Sequence, residues 1–64
     1  MTELDDEARR RLRHDLRTPL TIVAGFAEVL ASEREFSDEE RREFAGRILQ
    51  AATEIRSLID ETLE

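Results

Sequence analysis

The sequence predicts an all-α fold, an antiparallel two-helix hairpin that homodimerises into a four-helix bundle. Apolar residues recur at intervals of three and four, as on the buried stripe of a helix, and no segment alternates at the period of two typical of strands. Charged residues make up 41% of the 64 and hydrophobic residues 39%, with only two Gly and one Pro. This composition favours long amphipathic helices over a sheet.

The first helix is predicted over about residues 3–31. Thr2 is the candidate N-cap, with Asp5 three residues later. Pro19 lies in the helix interior, where it removes a hydrogen bond to Asp15 and crowds the same carbonyl, so we expect a kink there. The core-facing stripe follows a and d heptad positions and is widened at two e positions: Leu12, Leu16, Pro19, Val23, Phe26 and Leu30, with Leu20 and Ala27.

The second helix is predicted over about residues 38–63. Ser37 and Glu40 have the spacing of a capping box, and the acids between them suit the positive end of the helix dipole. The connection, about residues 32–37, is short and therefore makes the two helices antiparallel neighbours. The core-facing stripe has the same a, d and e pattern as in the first helix: Phe44, Ile48, Ala51, Ile55 and Leu58, with Ala45, Ala52 and Ile59.

The size of the chain predicts association. A core built from 64 residues is marginal, and without cysteine no disulfide can strengthen it. A single hairpin exposes half of each apolar stripe, whereas two copies close that surface, most commonly as a symmetric dimer. A monomeric, partly molten hairpin is the alternative.

Charge and hydropathy exclude several classes of partner. The net charge of -6 argues against nucleic acid, whose phosphates require a basic surface. No apolar run approaches the roughly 20 residues of a membrane span, and the chain does not begin with a secretory signal pattern. No cysteine–histidine cluster suggests a metal site. We expect a cytoplasmic domain without direct membrane contact.

His14 is the only histidine and falls at an f position, which faces away from the core. Arg17, Thr18 and Thr21 follow it on the same helix face, and Asp15 flanks that face. A carboxylate beside an imidazole can hold the proton of one ring nitrogen and raise the nucleophilicity of the other, while a hydroxyl can orient water. The pattern indicates an exposed nucleophilic histidine; an idle surface histidine is the alternative.

Five of the ten basic residues lie within residues 9–17. Acid-first pairs at i, i+4 account for three of them: Asp5–Arg9, Asp6–Arg10 and Glu7–Arg11. Arg13 and Arg17 have no such acid upstream. They are the better candidates to meet a phosphate or an acidic partner, with simple solvation as the alternative.

Residues 14–20 read His-Asp-Leu-Arg-Thr-Pro-Leu. This run resembles the H-box of the sensor histidine kinases of two-component signalling, and every position of that pattern is met. The two-helix layout also resembles the family's dimerisation and histidine-phosphotransfer domain. The resemblance covers nearly the whole chain, so residues 1–64 are expected to be one such domain.

The resemblance implies specific roles for the matching residues. His14 would be the phosphoacceptor, Asp15 would assist removal of its proton, and Thr18 would position water when the domain helps to dephosphorylate its partner. Pro19 corresponds to the family's helix-bending proline. A response-regulator receiver domain would dock on the upper part of the bundle and take the phosphoryl group onto an aspartate. Four apolar residues lie near that expected region: Val23, Phe26, Phe44 and Ile48.

The nucleotide-binding motifs of such kinases are absent, because the chain has no Asn and its two glycines are isolated. The resemblance therefore implies that Mg-ATP binds to a separate catalytic domain. The chain is then an excised domain or a subunit that depends on a catalytic partner. Whether the parent kinase is anchored in a membrane stays open.

Two other functions compete with this prediction. A dimerisation scaffold without chemistry is disfavoured by the retained His14, Asp15 and Thr18. A stand-alone monomeric phosphotransfer protein would need four helices in one chain. It would also carry a Lys-Gly pair after its histidine, where this sequence has Arg-Thr-Pro.

Overall fold

The computed structural model describes residues 5–63 as two α-helices, α1 (Asp6–Ala31) and α2 (Asp38–Leu63). Residues 32–37 connect them, and no strand occurs among the residues described. The helices pack against each other as an elongated hairpin whose Cα trace measures 49 × 16 × 14 Å. The predicted all-α hairpin is confirmed.

Helix α1 begins later than predicted. Its N-cap is Asp5, whose carboxylate accepts a hydrogen bond of 2.7 Å from the backbone N–H of Ala8. Asp6 and Glu7 follow in the first turn, where negative charge is favourable. The predicted cap, Thr2, lies outside the described residues. The predicted start at about residue 3 was early because Asp5 caps the helix, and its side chain satisfies one of the free N–H groups of the first turn.

The capping box predicted at the start of α2 is present. The backbone N–H of Glu40 donates to Ser37 Oγ at 3.0 Å, and the N–H of Ser37 donates to Glu40 Oε1 at 2.9 Å. At the other side of the connection, Ser32 ends α1 without a glycine: its hydroxyl donates to the carbonyl of Val29 at 2.6 Å. Short polar side chains therefore define both ends of the connection.

An aromatic cluster closes the hairpin at the connection. The rings of Phe26 and Phe44 pack across the two helices with centroids 5.4 Å apart. Phe36, from the connection, meets Phe44 edge-on at the same centroid distance, and the Arg34 guanidinium lies 5.2 Å from the Phe36 ring centroid. These contacts anchor the connection to the helices.

The core of the single hairpin is thin. Within residues 5–63, only Pro19 and Ala51 are buried, and the other a and d residues of the stripes are half-buried. Phe26 lies opposite Phe44 on the antiparallel helices. Pro19, seven residues before Phe26, therefore lies level with Ala51, seven residues after Phe44. Helix α1 continues through Pro19; the kink expected there stays a prediction.

The e positions predicted to widen the stripes are mostly outside this core. Leu20 is 51% exposed, and Leu49, at a neighbouring b position, is 68% exposed. Alanines continue this exposed face on both helices: Ala24, Ala27 and Ala31 on α1, and Ala45 and Ala52 on α2. The hairpin therefore carries a second apolar surface beside its own core. In residues 5–63, neither helix contains an apolar stretch long enough to cross a membrane.

Candidate functional site

Helix α1 presents His14 to solvent, two turns after the helix begins. Its side chain is 81% exposed. The neighbouring Leu12 and Leu16 are half-buried against α2, and this orients the intervening f position outward. The sequence prediction of an outward-facing histidine agrees with this placement.

Asp15 lies beside His14 and faces its ring. The distance between Asp15 Oδ1 and His14 Nδ1 is 3.3 Å. The Asp15 side chain is 44% exposed, about half as much as the imidazole. When Nδ1 carries the hydrogen, it donates to this carboxylate and leaves the Nε2 lone pair free.

Arg10 and Arg11 occupy the helix surface one turn before His14. Together with Glu7 and His14 they line a shallow surface depression. Arg11 forms an ion pair of 3.5 Å with Glu7, whereas Arg10 makes no ion pair with a described residue. The side chains of two arginines therefore line the same depression as the imidazole.

These arginines are functional candidates that the sequence analysis missed. It assigned Arg10 to Asp6 and Arg11 to Glu7 as surface pairs, and only the second pair is formed within residues 5–63. It favoured Arg13 and Arg17 instead. Arg13 lines a second depression together with Asp6, Arg9 and Arg10, and Arg17 is exposed. The i-4 and i-3 spacing to His14 was the signal that could have identified Arg10 and Arg11.

Thr18 is exposed one turn after His14 on the same face of α1. Elsewhere, the hydroxyls of Thr53 and Thr62 bond back to carbonyls four residues earlier, at 3.0 and 2.8 Å. Among the described residues, Thr18 makes no such bond. Its hydroxyl can therefore interact with water or a bound partner.

An apolar groove lies further along α1, beginning seven residues after His14. Its lining consists of five residues on neighbouring faces of that helix: Thr21, Ile22, Gly25, Phe26 and Val29. A Cβ added to Gly25 would meet nothing within 4 Å, so the helix backbone is accessible there. The four residues predicted near a docking region are all half-buried in the hairpin, and Phe26 also lines this groove: Val23, Phe26, Phe44 and Ile48.

Comparison with known proteins gives one family and several relatives. The model of the His Kinase A (phospho-acceptor) domain matches residues 6–64. The sensor histidine kinase YcbM of Bacillus subtilis is 37% identical over 49 residues, which cover 77% of this chain and 16% of the relative. The sensor protein VanSC of Enterococcus gallinarum is 42% identical over 53 residues, covering 83% of this chain and 15% of the relative. No solved structure gives a significant match.

The family match includes both helices and the run from His14 to Leu20. It confirms the resemblance seen in the sequence and favours a phosphoacceptor and dimerisation role over a scaffold without chemistry. This chain belongs to the His Kinase A (phospho-acceptor) domain family.

Proposed function

We propose that residues 1–64 form the phosphoacceptor and dimerisation domain of a two-component sensor histidine kinase, with His14 carrying the phosphoryl group. The observation that supports this most directly is the exposed imidazole of His14 with the Asp15 carboxylate 3.3 Å from its Nδ1. A phosphoryl donor can reach such a ring, and the carboxylate beside it can manage its proton.

Nε2 of His14 is the attacking atom. In the tautomer with hydrogen on Nδ1, that nitrogen donates to Asp15 Oδ1, and the lone pair on Nε2 is available. As the Nε2–P bond forms, the bond from phosphorus to the leaving oxygen of ATP breaks and ADP departs. The positive charge that develops on the ring is stabilised by Asp15, which can accept the proton directly or pass it to water.

The nucleotide and its magnesium ion belong to a separate catalytic domain. The chain spans only 16% and 15% of the two relatives described, both sensor proteins. The magnesium ion bound there would neutralise charge on the transferring phosphates. The described residues of this chain contribute the nucleophile and the surface around it.

The receiver domain of a response regulator is the acceptor. The groove formed by Thr21, Ile22, Gly25, Phe26 and Val29 begins about 10 Å along the helix axis from His14, at 1.5 Å per residue. Its apolar lining and bare glycine suit close packing against a partner helix. In the second transfer, the N–P bond breaks while an aspartate oxygen of the receiver forms the new O–P bond.

Thr18 acts when the domain helps to dephosphorylate the receiver. Its exposed hydroxyl lies one turn from His14, on the side of the groove. There it would orient the water that attacks a phosphorylated receiver aspartate.

A second copy of the chain covers the exposed apolar surface. Only Pro19 and Ala51 are buried within the described hairpin, too little for a stable independent core. The second surface, which includes Leu20 and Leu49, lies on the flank opposite Ile22 and therefore leaves the groove free. Packing two copies through it produces a four-helix bundle, located in the cytoplasm together with ATP and the receiver.

A complementation assay tests the proposed function. The ATP-binding domain of the parent kinase is supplied as a separate chain with Mg-ATP, and acid-labile, base-stable phosphate is measured on this protein. We expect label on the native sequence and none on His14→Gln, since glutamine cannot form a phosphoramidate at that position.

Two results of the complementation assay would contradict the proposal. Label on the His14→Gln variant would show that another residue accepts the phosphoryl group. Absence of label from both proteins, with dimer formation demonstrated by light scattering, would favour a dimerisation scaffold.

A further inference from the structure

The surface around His14 differs in charge from the rest of the molecule. Residues 9–17 contain five Arg and one Asp, a local charge of +4 in a chain whose net charge is -6. A positive segment in an acidic chain attracts anions to that segment specifically. The segment includes the proposed phosphoacceptor, but the family roles given above leave the arginines that precede His14 unassigned.

Two of these arginines share a surface with His14. Arg10 and Arg11 precede it by four and three residues, and both line the depression that the imidazole lines. Side chains at these spacings are neighbours on a helix, with Cβ atoms about 5–6 Å apart. The long arginine side chain can therefore reach a group bonded to His14 Nε2.

The two arginines have different surroundings. Arg11 is paired with Glu7 at 3.5 Å, which offsets its charge. Arg10 makes no ion pair with a described residue, although Asp6 lies four residues before it. Arg10 is thus the guanidinium better able to accept a new anion, with Arg11 as a second, weaker contributor.

We propose that Arg10, assisted by Arg11, binds the anionic oxygens of the phosphoryl group during its transfer to His14 Nε2. This inference rests on the proposed function of His14. Charge in the transition state of phosphoryl transfer is spread over three equatorial oxygens, and catalysis depends largely on positioning and charge stabilisation. A guanidinium provides planar paired donors that match two of those oxygens.

Phosphoramidate, a small phosphoryl donor, tests Arg10 without any ATP-binding domain. In the reaction, the P–N bond of the donor breaks and ammonia leaves as the Nε2–P bond forms. The proton released from Nδ1 passes to Asp15 or to water. Any effect of Arg10 then reflects the phosphoryl group itself and cannot arise from docking of a catalytic domain.

We expect Arg10→Gln to lower the second-order rate constant for phosphorylation about tenfold, the effect of losing one charged hydrogen bond. Arg10→Lys retains the charge without the planar fork of donors. Its rate constant should lie between those of the native chain and Arg10→Gln. Arg42→Gln is the matched control: it removes the same charge near the start of α2, at the opposite end of the hairpin. Its rate should equal that of the native chain.

Diethyl pyrocarbonate, an uncharged reagent that acylates imidazole, separates anion binding from a structural effect. All four proteins should react with it at the same rate, because Arg10 acts on the phosphoryl anion and not on the ring. A parallel loss with both reagents would overturn the proposal for Arg10.

Failure of this inference and failure of the proposed function are distinguishable. Normal phosphorylation of Arg10→Gln, with native His14 labelled, would overturn the role of Arg10 and leave the phosphoacceptor assignment in place. A native chain that reacts with diethyl pyrocarbonate but takes no label at His14, either from phosphoramidate or from the ATP-binding domain with Mg-ATP, would overturn both.

Discussion

His14 and Asp15 are adjacent in sequence, and the helix separates their environments. The imidazole is 81% exposed, while the Asp15 side chain is 44% exposed and directed at Nδ1. A rotation of about 100° per residue places Asp15 towards the flank of the hairpin. Nδ1 therefore contacts the Asp15 carboxylate. Nε2 is left accessible for nucleophilic attack.

Asp15→Asn should slow phosphorylation of His14 by about a hundredfold, within the range of general acid–base contributions. The amide keeps the shape of the carboxylate but lacks the charge that stabilises the developing imidazolium. The initial rate of phosphohistidine formation with a separate ATP-binding domain measures the effect. Asp38→Asn, at the start of α2, is the control of equal charge, and equal rates for the two variants would contradict the role of Asp15.

Thr18→Ala should reduce dephosphorylation of the phosphorylated receiver and leave phosphorylation of His14 near the native rate. The variant loses the hydroxyl that orients water but retains the helix and its charges. Release of inorganic phosphate from the phosphorylated receiver is the measurement. Thr53→Ala serves as the control because that hydroxyl is already bonded to the carbonyl of Leu49. Unchanged phosphatase activity in Thr18→Ala would exclude this role.

At the scale of the helices, the caps decide where each element begins. Ser37 and Glu40 exchange two hydrogen bonds at the start of α2 and direct the chain back along α1. The aromatic cluster of Phe26, Phe36 and Phe44 then fixes the connection against both helices.

Ser37→Ala should lower the free energy of unfolding by about 1 kcal/mol, the usual cost of losing an N-cap side chain. Urea denaturation followed by circular dichroism measures it, at a fixed protein concentration because the proposed dimer couples association to folding. Ser57→Ala, at an exposed position inside α2, is the control. A loss of equal size in both variants would show that the capping box has no special effect.

For the whole molecule, the two flanks of the hairpin have different surfaces. One flank carries the groove that includes Ile22 and Gly25, and the other carries the exposed apolar residues that include Leu20 and Leu49. The thin core of a single hairpin explains why the second flank requires a partner. His14 lies on the face between these flanks, where its side chain is 81% exposed.

Leu49→Glu should convert the dimer to a monomer, because a carboxylate at the centre of the apolar surface cannot be buried without a partner. Light scattering would then report a molar mass near the 7.4 kDa of one chain in place of twice that value. Ile22→Glu places the same charge on the opposite flank and should leave the dimer intact. A dimeric Leu49→Glu protein would refute this choice of interface.

The sequence alone was sufficient for several features, all of them local. The three- and four-residue spacing predicted both helices, the Ser37–Glu40 pattern predicted the start of α2, and the heptad register predicted that His14 faces outward. The start of α1 was predicted from Thr2, three residues before Asp5, which is the residue that caps the helix. Seven consecutive residues from His14 also sufficed to suggest the family.

The tertiary structure decided which side chains share a surface. Phe26 of α1 and Phe44 of α2 pack ring against ring, with centroids 5.4 Å apart, only because the hairpin brings the two helices together. By contrast, Leu20 belongs to the apolar pattern but lies outside the core of the hairpin. Helical spacing is set by neighbours along the chain and can be read from sequence. Which face meets α2, and which is left for a partner, depends on how the two helices pack against each other.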